Sequence, residues 1–216
     1  LAALPGVDRE VCPRAVDDLL SYNFIPAPFT AFRGIRRIAA RTLVTARPGA
    51  AATERRFAVP PRPARRARPF AESVAMVGDA LGRAVRRTLT ADVPVGLFLS
   101  GGVDSTLVAA YASEAAPRIE AFTATFAGAP TDELAYARAA GAALGIRVHP
   151  VAIEPGQFRD PEALVTLFEE PFADVAALPT LLLARAARAT FPVALTGDGG
   201  DQVFGGYAHH VVAGAL

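Results

Sequence analysis

Apolar residues recur with two different periods along this chain. Between Phe70 and Thr90, Val74, Val77, Leu81, Val85 and Leu89 fall three or four positions apart, the spacing that lines one face of an α-helix. Beyond that point short apolar runs alternate with helical stretches. The runs are 95–99 (VGLFL), 119–126 (IEAFTATF), 147–153 (RVHPVAI) and 192–196 (PVALT), and the helices predicted among them cover 103–115, 132–144, 160–170 and 177–190. Apolar strands separated by helices build a parallel sheet covered on both faces. The pattern therefore predicts a doubly wound α/β domain. Its four parallel strands are expected in the order 3-2-1-4, with 95–99 beside 192–196, since ligands in such sheets bind where the strand order reverses.

The chain before Phe70 reads differently. A short helical pattern at 14–22 (RAVDDLLSY) leads into a proline-punctuated loop, FIPAPFT, and a strand, RTLVTA, that ends at Pro48-Gly49. Residues 1–58 look like an appendage. Residues 59–69 (VPPRPARRARP) mix prolines with arginines and read as an extended connector to a domain at 70–216. No aromatic residue interleaves the arginines, so a solvated linker is favoured over a nucleic-acid patch.

Composition narrows the function classes. With 216 residues, 52% hydrophobic and 20% charged, the chain has globular composition, and its net charge of +1 carries no nucleic-acid footprint. All of its basic residues are arginines, with no lysine anywhere. The single Cys12 excludes an internal disulfide and any multi-cysteine metal site, which fits a reduced, cytoplasmic setting. No apolar run approaches the ~20 residues of a membrane-spanning helix. The first residue is Leu, and the chain reads as a piece of a longer polypeptide.

Two glycine clusters carry the chemistry. In VGLFLSGGVDST (95–106) an apolar strand runs into Ser100-Gly101-Gly102 and restarts as a helix. Glycines let the backbone approach an anion, and a helix N-terminus offers unpaired N–H groups and the positive end of its dipole. In TGDGGDQVFGGY (196–207) the last strand also ends in glycines and acids. If the two strands are neighbours, Asp104 and Asp201 converge beside a phosphate cradle, as a magnesium ion bridging phosphates requires. Alone, each acid reads equally as a helix cap.

With both motifs in hand, the chain resembles the asparagine synthetase family. SGGVDST is similar to the ATP-pyrophosphatase signature, or PP-loop, and TGDGGDQVFGGY to the family's second signature. ADVPVGLFLSGGVDST, DELAYARAAGAALGIRVH and EEPFADVAALPTLLLARAAR follow in that family's order, and YNFIPAPFTAFRGIRRI resembles the tail of its glutaminase domain. The resemblance implies an ATP-dependent ligase that adenylates a side-chain carboxylate, aspartate above all, releases pyrophosphate, and forms an amide with ammonia supplied by a glutaminase domain. It implies that Ser100, Gly101, Gly102, Asp104, Ser105 and Thr106 hold the pyrophosphate portion of ATP. By the same carry-over, Leu99, Ala124, Thr196 and Gly197 line the adenosine pocket, Asp104 and Asp201 hold Mg2+, and Asp198 takes part in forming the acyl-adenylate. Asp174 falls near the expected acceptor site, and a homodimer is compatible with the resemblance.

The departures count as well. Many members read Asp-Glu where this chain has Asp201-Gln202. The family's glutamine-hydrolysing nucleophile is an N-terminal cysteine, whereas Cys12 lies internally, and the lysine expected downstream of the second motif is missing. These departures keep two alternatives open: a truncated or inactive nucleotide-binding homologue, and a peptide- or lactam-forming cyclase of the same family. A PP-loop enzyme acting on tRNA or a nucleotide is disfavoured by TGDGGDQVFGGY. His149, His209 and His210 lack partners at metal spacing and read as structural or capping residues, and Glu169-Glu170 as a helix end.

Overall fold

The computed structural model describes residues 1–59, 68–130, 132–154, 156–157, 161–208 and 210. Most of the 59–69 connector lies outside the described residues, as does His209. Two compact units divide the chain. One comprises Leu1–Arg66 with Phe158–Ala177, the other Ala67–Gln157 with Leu178–Leu216.

In the first unit, α1 (Pro13–Tyr22) starts with proline at its first turn, where the missing N–H costs nothing, and stops at Asn23 in the left-handed region with φ 66°. The predicted strand is β1 (Thr42–Thr45), and it pairs antiparallel with β2 (Thr53–Arg56), a strand that periodicity does not reveal. Helix α5 (Pro161–Phe168) belongs to the same unit. Within this unit Arg37 forms an ion pair with Glu170 and donates to the Ile25 carbonyl at 3.1 Å, and the Ala173 N–H donates to the Asn23 carbonyl at 3.0 Å.

The second unit is the α/β domain. Its elements are α2 (Phe70–Thr88), β3 (Val95–Phe98), α3 (Val103–Ala115), β4 (Glu120–Thr125), α4 (Leu134–Leu144), β5 (Arg147–Ala152), α6 (Ala177–Ala187), β6 (Val193–Leu195) and α7 (Gly200–Phe204). The four strands run parallel in the order β5-β4-β3-β6, which is the expected 3-2-1-4. Register follows from Leu97 opposite both Ala121 and Leu195, and from Phe122 opposite His149.

Because side chains alternate across a strand, that register sorts the core into two layers. Leu97, Leu99 and Ala121 face Val85 of α2, Ala109 and Ala112 of α3, and Ala137 of α4. Phe122 on the opposite face is buried with Leu183 and Ala187 of α6 and with Phe191, and Phe98, Ala124, Val151 and Ala194 pack around them. Helices thus cover both faces, which is why the central strands carry no alternation of polar residues. No helix among the described residues is long and apolar enough to cross a membrane.

Candidate functional site

Strand β3 ends at Phe98, and the chain turns through Leu99-Ser100-Gly101-Gly102 into α3. The turn is held by two serines. The hydroxyls of Ser100 and Ser105 lie 2.8 Å apart, the Ser100 N–H donates to Ser105 Oγ at 3.3 Å, and the Gly102 N–H donates to Ser100 Oγ at 3.2 Å. Gly101 sits at φ +82°, and a Cβ there would lie 2.4 Å from the Tyr136 carbonyl carbon, so backbone conformation and packing against α4 both demand glycine. Helix α3 begins with no side-chain cap, and its first intrahelical bond runs from the Thr106 N–H to the Gly102 carbonyl at 3.0 Å. The N–H groups ahead of that bond and the positive end of the helix dipole are therefore directed at the turn.

The second motif is pressed against the start of α3. A Cβ on Gly197 would lie 2.6 Å from the Ser105 nitrogen, and one on Gly200 would lie 2.3 Å from the Asp104 carboxyl carbon. The glycines of TGDGG thus let the β6–α7 turn rest on α3, and they bring Asp104 against the residue that precedes Asp201. Asp198 is fixed by Thr196, whose hydroxyl donates to Asp198 Oδ2 at 2.9 Å. Gln202 Nε2 donates to the Tyr207 hydroxyl at 3.1 Å.

These elements enclose a cavity of about 410 Å³ at the carboxyl ends of the strands. Of the residues expected at the site, Leu99, Ser100, Gly102, Asp104, Ser105, Ala124, Thr196, Gly197, Asp198 and Asp201 line it. Gly101 and Thr106 do not: Gly101 packs on α4, and Thr106 buries its hydroxyl with no hydrogen-bond partner among the described residues. Asp174 does not line the cavity either, and its carboxylate accepts from the Ala176 N–H at 2.8 Å. Among the lining residues that sequence reasoning missed are Phe98, Phe122, Phe126, Glu133 and Leu183. Four of these five are apolar and read as core, so their part in a cavity emerges only from strand register and the seat of α6.

The cavity lining is chemically mixed: Phe98, Leu99, Phe122, Ala124 and Leu183 supply apolar surface, while Ser100, Gly102, Ser105 and the start of α3 supply donors. Its charged lining residues among those described are Asp104, Glu133, Asp198 and Asp201, all of them acids. A polyphosphate entering here needs a cation besides the helix dipole, or repulsion would expel it. No group of three or more histidine, cysteine or acidic residues among those described could hold a metal alone. Mg2+ does not require one, because it is commonly held by one or two carboxylates together with substrate phosphates and water. The donor set of Asp104 and Asp201 fits that mode.

Beside the cavity, Asp132 ties β4 to α4. Its carboxylate accepts the Leu134 N–H at 3.1 Å and the Thr125 hydroxyl at 2.8 Å, and those bonds, the backbone one foremost, hold it below the usual carboxylate range.

Residues 76–213 match the asparagine synthase family model. Asparagine synthetase [glutamine-hydrolyzing] 1 of Bacillus subtilis is 32% identical over 202 residues, covering 93% of this chain and 32% of the relative. The amidase chry2 of Gibberella zeae is 30% identical, covering 94% of this chain and 33% of the relative. The chain thus spans about a third of the length of these relatives. Among solved structures, a glutamine-dependent NAD+ synthetase from Acinetobacter baumannii in complex with ADP aligns with a TM-score of 0.45 and 23% identity, over 66% of this chain and 29% of that one. The family match covers both glycine clusters and every strand of the sheet, and the chain belongs to the asparagine synthase family.

Proposed function

We propose that this chain carries the nucleotide site of an ATP-dependent carbon–nitrogen ligase, with aspartate as the carboxylate substrate and ammonia as the nitrogen donor. The observation that supports it is the convergence of both glycine clusters on one cavity lined by both hydrogen-bond donors and apolar side chains. In this reading the turn at Ser100–Gly102, the Ser105 hydroxyl and the start of α3 bind the pyrophosphate portion of ATP. Leu99, Ala124, Thr196 and Gly197 receive adenosine, and Asp104 with Asp201 hold Mg2+. Bound there, Mg2+ would neutralise charge on the departing pyrophosphate.

The chemistry has two balanced steps. A carboxylate oxygen attacks the α-phosphorus, the bond from that phosphorus to the bridging oxygen breaks, and pyrophosphate leaves with the electron pair. Ammonia then adds to the acyl carbon, AMP departs with the carbon–oxygen electron pair, and nitrogen loses one proton to leave the neutral amide. The assigned role of Asp198 is to face the reacting carboxyl group, with its own carboxylate oriented by Thr196. Prearranged donors at the cradle stabilise charge without reorganising as it develops.

A second reading is favoured by one observation. No basic residue lines the cavity among those described, and the sequence contains no lysine. A nucleotide-binding domain that turns over slowly by itself fits that charge pattern.

The ligase reading is tested by calorimetric titration of ATP into the protein with and without Mg2+. Wild type is expected to bind only when Mg2+ is present, and Asp201→Asn to weaken that binding by roughly 10- to 100-fold, the range for losing a charge-assisted contact. Equal affinity with and without the metal, or in the variant, would overturn the assignment of Asp201.

A further inference from the structure

The apolar wall of the cavity has a support that the reaction does not use. Phe122 lies on β4, only 8% exposed, with one part of its ring on the cavity and the rest held by two other rings. Phe191 meets it edge-on, with ring centroids 5.3 Å apart and planes at 88°. His149, its partner across the β4–β5 pairing, stacks on it at 4.8 Å with planes at 27°. His149 is itself fixed through Nε2, which donates to Glu120 Oε2, since an ionised carboxylate offers no proton.

Glu120 stands two residues before Phe122 on β4, and therefore on the same face of the sheet. The three side chains form one chain of contacts, Glu120 to His149 to Phe122, that ends at the cavity. Neither Glu120 nor His149 lines the cavity.

On the edge strand β5 an imidazole whose side chain is 34% exposed is paired with a carboxylate so that its face meets the face of Phe122. The T-shaped contact with Phe191 locks the same ring from a second direction. Both contacts restrain the ring of Phe122, which lines the cavity, in one orientation. Preorganisation of this kind lowers the ordering cost of binding.

We propose that His149 is a positioning residue for adenine: held by Glu120, it fixes the ring of Phe122 as the wall against which the base of the bound nucleotide rests. This inference builds on the nucleotide reading of the cavity and concerns only its apolar surface. The phosphate cradle is built on the β3–α3 turn, whereas His149 lies on β5 and does not line the cavity.

That separation supplies the test. Calorimetric titrations with Mg2+ present compare ATP with inorganic tripolyphosphate, which carries the phosphates and no base. His149→Ala is expected to weaken ATP binding about tenfold, the loss of roughly one aromatic contact, and to leave tripolyphosphate within about twofold of wild type. His149→Phe, which keeps an aromatic face, is expected to restore ATP to within about threefold of wild type, an aromatic stack being retained. Glu120→Gln, whose ring partner remains in place, should shift ATP in the same direction as His149→Ala by a smaller factor. A variant that weakens both ligands equally, or leaves ATP unchanged, would overturn the role of His149. Failure of wild type to bind either ligand would instead overturn the nucleotide reading, so the two outcomes are distinguishable.

Discussion

Gly197 shows how a single residue can decide whether the two motifs meet. A Cβ at that position would lie 2.6 Å from the Ser105 nitrogen and 3.0 Å from its Cα, and these are backbone atoms of a helix that cannot swing aside. Gly156, by contrast, has nothing within 4 Å of a built Cβ. Gly197→Ala is expected to destabilise the α/β domain by roughly 1–3 kcal/mol through overpacking. The same substitution should weaken Mg2+–ATP binding, because the β6–α7 turn must lift away from α3. Gly156→Ala should stay within about 1 kcal/mol of wild type. Urea denaturation of the two variants checks the difference, and equal stabilities would show that the contact is soft. The requirement for glycine here was legible in sequence only as a cluster of five glycines near acids. Which of them faces a neighbour, and which merely turns the chain, depends on the seat of α3.

At the scale of elements, the β4–α4 connection carries a charge-dependent fastening. The Asp132 carboxylate accepts from the Leu134 N–H in the first turn of α4 and from the Thr125 hydroxyl at the end of β4, and these bonds lower its pKa. A carboxyl whose folded pKa is depressed stabilises the fold above its unfolded pKa, about 3.9, and that contribution is lost as pH falls through the lower folded value. Wild type should therefore be more stable than Asp132→Asn near neutral pH, and the gap should close progressively below about pH 4. Thermal melts across pH 2.5–7 would be the measurement, and a gap that persisted unchanged at low pH would contradict it. The elements themselves were legible to differing degrees. Helix α2 follows its apolar period closely, and α3, α4 and the four parallel strands fall where the alternation of apolar runs and helical stretches puts them. Strand β2 did not, because Thr-Glu-Arg-Arg is exposed at every position and has no apolar face to signal pairing. Helix α7 is five residues long and is flanked by left-handed Gly199 and Gly205, so glycine masked the turn of helix between them.

At the scale of the whole chain, its two ends of chemistry lead to different expectations for binding and for turnover. The cradle, both candidate metal carboxylates and the apolar wall all lie within the α/β unit, so on the proposed reading this unit is expected to bind Mg2+–ATP. Turnover asks for more. Rate acceleration comes from interactions stronger in the transition state than in the ground state, and charge that develops as pyrophosphate leaves is ordinarily met by cationic groups as well as by metal. The charged residues described around this cavity are four acids, no arginine among the described residues lines it, and Gln202 replaces a carboxylate expected from the family pattern. The relatives it matches are about three times as long, and groups contributed by the rest of such a polypeptide fall outside these residues. We therefore expect the 216-residue chain to bind ATP with Mg2+ but to form amide slowly or not at all. Purified protein would be given ATP, Mg2+, aspartate and ammonium, with pyrophosphate release followed continuously and nucleotide binding measured in parallel. Binding without aspartate-dependent release is the expected result. Release at ordinary enzyme rates, roughly 1 to 1000 per second, would show instead that four carboxylates, a metal and a helix N-terminus suffice for the chemistry.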